Sequence, residues 1–170
     1  PTVHLRADST ICRLVHYCDN EDCPSGGDLP LYIVDTEIYR YLPSAIISTV
    51  DKLAIMGCNP SFRNIINGVE HKCPLHGFTS KRKCMEDTCQ VEVQNYEHIN
   101  MYDPAPTLFI QDELHLIRES LGAYASHYES FLKYYIKNFS KSKRDIKVIG
   151  ATATISSYRE QVYHLYGRNP

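Results

Sequence analysis

The sequence predicts an α/β fold: a mainly parallel sheet flanked by helices and interrupted by a cysteine-rich insertion. Three observations carry that expectation. Apolar runs at 44–49, 107–111 and 146–150 show little alternation, as strands buried on both faces of a parallel sheet do. Residues 121–139 repeat apolar side chains at i, i+3, i+4 and i+7, the period of a helix lying on a core. Between the first two runs, residues 57–106 hold four cysteines and three histidines with little periodicity. A structureless loop of that length is rare in a compact domain unless something ties it down.

Taken in order, residues 1–30 are polar and cysteine-containing and end in the loop Pro24-Ser25-Gly26-Gly27-Asp28-Leu29-Pro30. Leu31-Tyr32-Ile33-Val34 has the look of a short strand, and Ser44–Thr49 of a buried one. A short helix is expected from about Val50 to Ile55, with Ser48 or Thr49 as its N-cap. After Pro104 and Pro106, Thr107–Gln111 resumes the core pattern. The long helix follows, with an inward stripe of Leu121, Tyr124, Ala125, Tyr128, Phe131, Leu132, Tyr135, Ile136 and Phe139. Lys141, Lys143 and Arg144 lie near its end, where cations suit the helix dipole. Ile146–Gly150 is the next strand and Ser157–Tyr166 a final helix.

Bulk properties bound the function. With 170 residues, 43% hydrophobic and 22% charged, the chain suits one globular domain with an insertion. A net charge of -2 makes no global case for binding polyanions, so any such contact must be local. No apolar run approaches the ~20 residues that span a bilayer, and Pro1-Thr2-Val3-His4 has no export signal. A cytoplasmic chain without membrane partners is expected, and the missing initial Met suggests a piece of a longer one. Seven cysteines are an odd number, which disfavours a disulfide framework.

Their spacing favours metal. Cys73-Pro74-Leu75-His76-Gly77, followed by Cys84 and Cys89, gives C-x2-H-x7-C-x4-C, a plausible closed tetrahedral set for structural zinc. Such binding can order a segment with little core of its own. Cys58 and His71 are alternative ligands. Cys12, Cys18 and Cys23 offer a second set, with His16 between them, completed by Cys58 or by residues outside the chain. No H-E-x-x-H arrangement accompanies either group, so catalytic zinc is not expected. Lys81-Arg82-Lys83 is a small basic patch that can touch a phosphate backbone or simply be solvated.

Asp112 and Glu113 directly follow the strand 107–111, and ligands of open α/β sheets bind outside the carboxyl ends of strands. Paired carboxylates there can hold Mg²⁺ and polarise an attacking water. Alone, such a pair more often caps the next helix. The wider pattern favours the first role. Asp112-Glu113-Leu114-His115 resembles the Walker B motif of DExH-type superfamily 2 helicases. Gly150-Ala151-Thr152-Ala153-Thr154-Ile155 resembles their motif III, and Ser48-Thr49-Val50-Asp51-Lys52-Leu53 their motif Ib. The three stand in the family's order.

This resemblance implies a partial first RecA-like (P-loop NTPase) domain, from 31–56 and 107–170, with a zinc-binding insertion at 57–106 and the segment 1–30 as part of an insertion. Asp112 would hold Mg²⁺, Glu113 would activate water, and His115 with Thr152, Ala153 and Thr154 would couple nucleotide state to a second motor domain. Thr49, with Lys52 beside it, would receive a nucleic-acid phosphate. ATP and Mg²⁺ would be cofactors of the full-length protein. None of the eight glycines precedes a lysine, so the phosphate loop G-x-x-x-x-G-K-[S/T] is missing. The chain alone is therefore expected to be inactive. Ile38–Ser44, Ser48–Ala54, the Cys73–Gly77 turn and Gln111–Ile117 together are similar to the large helicases of bacterial DISARM-type anti-phage systems, over roughly residues 31–167. That similarity implies DNA and other defence proteins as partners. The competing expectation is a zinc-stabilised module that binds protein or nucleic acid without nucleotide chemistry.

Overall fold

The computed structural model describes residues 2–49, 52, 58–66, 68–80, 82–103, 105–117, 119–141, 144–153 and 157–170. The chain forms two compact units. One comprises residues 1–46 and 61–101, the other 47–60 and 102–170. Neither is continuous in sequence.

The first unit is built from two small antiparallel sheets. Strands β1 (Val3–Asp8) and β2 (Arg13–Cys18) form a hairpin, and β3 (Asp28–Leu29) adds to β2. In the second sheet, β4 (His71–Cys73) lies between β5 (Gly77–Thr79) and β6 (Glu97–His98). Helix α1 (Asp35–Tyr41) carries acidic Asp35 and Glu37 in its first turn, as the dipole favours. It ends at Leu42 in the left-handed region, just before Pro43.

Buried polar groups on α1 hold this unit together. Glu37, 2% exposed, accepts the Leu14 N–H at 2.9 Å. Arg40, 3% exposed, donates to the Ile11 carbonyl at 2.7 Å and sits 3.6 Å from Glu86. Asn64 donates to the Tyr39 carbonyl at 3.1 Å. A buried charge survives only when paired and hydrogen-bonded, so α1 acts as a fixed peg between the first hairpin and the cysteine-rich region.

The second unit contains β7 (Leu108–Gln111) paired in parallel with β8 (Lys147–Gly150), so that Ile110 faces Ile149. Between them run a 3₁₀ turn (Leu114–Leu116) and the long helix α2 (Glu119–Phe139). Helix α3 (Tyr158–Tyr166) closes the unit. Its core is Leu114, Ile117, Leu165 and Tyr166, packed against Phe109, Ala125, Val148 and Val162.

Several expectations change. Residues 31–34 and 44–49 join no ladder; Ile33 is 67% exposed and Ile47 98%. Among the described residues, parallel pairing is confined to β7 and β8, and both antiparallel sheets went unpredicted. Apolar runs alone do not specify a partner strand. Segment 31–46 belongs to the first unit. The helix expected over 50–55 lies mostly outside the described residues, although Lys52 is helical. Strand β7 buries one face only, since Leu108 and Ile110 are exposed while Phe109 meets the core. On α2, Ile136 is buried as expected, but Tyr124, Phe131 and Phe139 are exposed and Glu129 is buried instead.

Candidate metal centre and strand-end acidic site

The Cys73-Pro74-Leu75-His76-Gly77 segment forms the turn between β4 and β5. Gly77 adopts φ +85°, and a Cβ there would meet the Arg40 carbonyl oxygen at 2.4 Å. Only glycine combines that dihedral with that approach. The turn brings the Cys73 sulfur 3.8 Å from His76 Nδ1 and 3.8 Å from the Cys89 sulfur. The ligand atoms of Cys73, His76, Cys84 and Cys89 all lie within 4.8 Å of one another. Metal–sulfur bonds of about 2.3 Å in a tetrahedron require sulfurs about 3.8 Å apart, so the group can hold a metal ion. Cys73, His76 and Cys84 are buried, which closes the site.

Surrounding groups orient the ligands. His76 Nε2 lies 3.2 Å from the Thr10 carbonyl oxygen. Donation from Nε2–H leaves Nδ1 unprotonated and facing the sulfurs, the tautomer a ligand needs. The Glu86 N–H donates to the Cys84 sulfur at 3.4 Å. Burial raises the Cys73 thiol, but the N–H groups of His76 and Leu75 together with the Cys89 and Cys84 thiols outweigh it and leave the pKa lowered. Cys84, with burial dominant, is pushed up to about 12. Tyr96 also rises to about 12, through burial first and the neighbouring cysteines second. A cation would neutralise this crowding of would-be thiolates.

The other metal candidates are placed differently. Cys12 sits in the turn between β1 and β2, its sulfur on the Ser9 carbonyl, with the whole of β2 separating it from Cys18. At about 3.3 Å per residue this strand keeps them far apart, so the three-cysteine set does not assemble. Cys18 and Cys23 line one pocket, their sulfurs on the Thr2 and Ser25 hydroxyls at 3.6 and 3.0 Å. His71 pairs edge-on with His98, and the exposed Cys58 belongs to the other unit.

In the second unit, β7 delivers Asp112 and Glu113 to its carboxyl end. Glu113 adopts φ 49°, ψ 46°, a left-handed conformation that costs a residue with a Cβ about 1–3 kcal/mol. This bend sends Leu114 inward, to 2% exposure, and turns the Glu113 carboxylate back toward His115. His115 Nδ1 lies 3.2 Å from Glu113 Oε2 and 3.3 Å from Thr152 Oγ1. Asp112 Oδ1 accepts the Glu113 N–H at 2.9 Å. Helix α2 begins at Glu119, beyond this bend.

Backbone bonds weld the two strand ends together. Ala151 N–H donates to the Gln111 carbonyl at 2.8 Å and Leu114 N–H to the Ala151 carbonyl at 2.9 Å. Below them, Gln161 of α3 donates to the Leu114 and Ile117 carbonyls at 2.8 and 3.0 Å. Sequence reasoning missed Gln161, Thr10 and Arg40, because carbonyl partners leave no spacing signature. Of the remaining predicted residues, Ala153 is exposed and Thr154 lies outside the described residues. Thr49 is exposed and accepts the Lys52 N–H at 3.1 Å through its carbonyl; Lys52 is exposed too. Among the described residues, no helix is long and apolar enough to cross a membrane.

No family model matches the chain. It is 34% identical over 154 residues to the DISARM protein DrmA of Bacillus paralicheniformis. That match covers 89% of this chain and 14% of DrmA, so the chain spans about a seventh of the length of the curated relative it matches.

Proposed function

We propose that the chain is part of an ATP-dependent nucleic-acid helicase or translocase of an anti-phage defence system, contributing part of the first RecA-like motor domain. The observation that carries this proposal is the His115–Thr152 contact, which links Glu113 on one parallel strand end to the segment leaving the next. The similarity to DrmA supports the defence assignment.

In this role Asp112 is the carboxylate for Mg²⁺ and Glu113 the one that orients the attacking water. His115, Thr152, Ala153 and Thr154 relay the nucleotide state, while Thr49 and Lys52 meet a phosphate of the nucleic acid, DNA in the first instance. The chain carries no phosphate loop, so ATP turnover belongs to the parent protein. The Cys73, His76, Cys84 and Cys89 set takes structural zinc, whose contribution is to fix the β4–β5 turn.

The test is ATP turnover by the parent protein with and without DNA. Glu113→Gln should abolish turnover while leaving nucleotide binding intact, and residues 1–170 alone should be inactive. Undiminished turnover by the Glu113→Gln protein would overturn the motor assignment. The second candidate, a zinc-stabilised binding module, is favoured by the closed metal centre alone. It predicts DNA or protein capture that is lost on metal removal and indifferent to Glu113→Gln.

A further inference from the structure

Strand β8 has two ends, and the acidic pair with Thr152 occupies only the carboxyl one. At its amino end, the C-terminal half of α2, the residues entering β8 and those leaving α3 border a cavity of about 460 Å³. Its wall carries Lys133, Lys137 and Arg168 together with Ile136, Asp145 and Gly167. The four residues of β8, at about 3.3 Å each, set this cavity well apart from the strand-end acidic site. Its volume is that of a small-ligand pocket.

Two of the three cations are held in place by backbone. Lys133 Nζ donates to the Tyr166 carbonyl, and an Arg168 Nη to the Ile146 carbonyl at 2.6 Å. Gly167 makes room for the first, since a Cβ there would stand 3.3 Å from Lys133 Nζ at a φ of +59°. A carbonyl orients an ammonium or guanidinium without neutralising it, and each keeps further N–H groups to donate. Arg168 approaches Asp145 only to 4.0 Å, and that carboxylate is 91% exposed, so the pair is weak. Lys137 follows Lys133 by one turn, and its ammonium has no hydrogen bond or ion pair among the described residues. The two helix C-termini bring roughly half a negative charge each. That is less than the formal surplus of the wall, three cations against one carboxylate. Buried Glu129 opposes Lys133 and Arg168, but burial raises its carboxyl pKa and so weakens the opposition.

We propose that this cavity is a phosphate-binding site, in which Lys137 and the remaining N–H groups of Lys133 and Arg168 hold the oxygens of one phosphate group. The ammonium groups act as point charges and the guanidinium as a fork, the two ways in which proteins grip phosphate. A free phosphate and a phosphate of a nucleic-acid strand present the same oxygens to these donors. The site binds and makes or breaks no bond. It rests on the second unit alone and is independent of the motor assignment, which Glu113→Gln tests separately.

The test is NMR titration of the zinc-loaded, isotope-labelled chain with inorganic phosphate, at an ionic strength held constant with chloride. The amides of Gly167 and Arg168 should shift saturably. Lys137→Gln, at an exposed position, should weaken binding by roughly tenfold or more, as loss of a charge-assisted hydrogen bond does. Its unaltered spectrum elsewhere would report that the fold is kept. Glu129→Gln removes the opposing buried charge and should tighten binding, while Lys83→Gln, in the other unit, should leave it unchanged. A short oligodeoxynucleotide without terminal phosphates separates the two sources. The same shifts, weakened by Lys137→Gln, identify a strand phosphate; their absence beside a phosphate response identifies a free one. Shifts that chloride alone reproduces, a phosphate response that never saturates, or equal affinity in Lys137→Gln would overturn the proposal.

Discussion

His115 Nδ1 stands 3.3 Å from Thr152 Oγ1, joining residues 37 positions apart at the ends of two parallel strands. The same nitrogen is 3.2 Å from the Glu113 carboxylate. One ring therefore connects a candidate water-orienting group with the segment after β8. In the parent protein, Thr152→Val should leave ATP binding intact and weaken the stimulation of ATP turnover by DNA by roughly tenfold, equivalent to about 1.4 kcal/mol of coupling. Steady-state turnover at saturating ATP, with and without DNA, checks this; equal stimulation in both proteins would separate the contact from coupling.

Gly77 is the backbone hinge of the metal centre. Replacing it with Ala puts a Cβ 2.4 Å from the Arg40 carbonyl oxygen, at a φ of +85°. Destabilisation by about 1–3 kcal/mol is expected from the strained dihedral alone. Metal affinity should fall with it, because the turn that aligns Cys73 and His76 must shift. Urea unfolding and competition with a chromophoric chelator measure the two effects on one sample.

Gln161 donates to two carbonyls in the bend that carries the acidic pair. Gln161→Leu removes both donors beneath the nearly buried Leu114 and Ile117. Loss of about 1–3 kcal/mol is expected. Glu113 should also leave its left-handed conformation more readily, visible as faster amide exchange at Leu114, whose N–H bonds the Ala151 carbonyl.

Glu129 is 5% exposed, and one of its oxygens has no hydrogen-bond partner. Burial raises its carboxyl pKa, against the opposing pull of Lys133 and Arg168. The native state thus holds the proton more tightly than the unfolded chain. Its stabilising contribution is complete below the ordinary glutamate value near 4.5 and disappears as pH rises through the raised native value. Glu129→Gln should therefore stabilise the second unit at pH 7 and have little effect at pH 4. Denaturation midpoints across that range test the sign; a larger gain at pH 4 than at pH 7 would refute it.

Legibility in the sequence followed local chemistry. The helix over 119–139, the strands flanking it and the final helix follow from period and turn residues that lie within a few positions of one another. So does the metal set, because ligand spacing is a statement about one turn and two loops. What failed was long-range. Leu31–Val34 and Ser44–Thr49 have strand-forming residues but join no ladder among the described residues. Helix α1 has only seven residues and gains its place from Glu37 and Arg40, polar side chains that no hydrophobic pattern marks. Cys12 and Cys18 looked like co-ligands because six positions separate them, yet those positions form an extended strand. The acidic pair was legible as to position, while its left-handed bend and its Gln161 support were not.

The hydrogen bond from His76 to the Thr10 carbonyl reaches back 66 positions along the chain. A ribosome adding roughly 5–20 residues per second exposes Thr10 several seconds before His76 emerges, and Cys89 later still. For that interval the β1–β2 hairpin lacks its imidazole donor. A metal held by His76 would therefore steady the first hairpin's anchor only after the strands of that hairpin had been made.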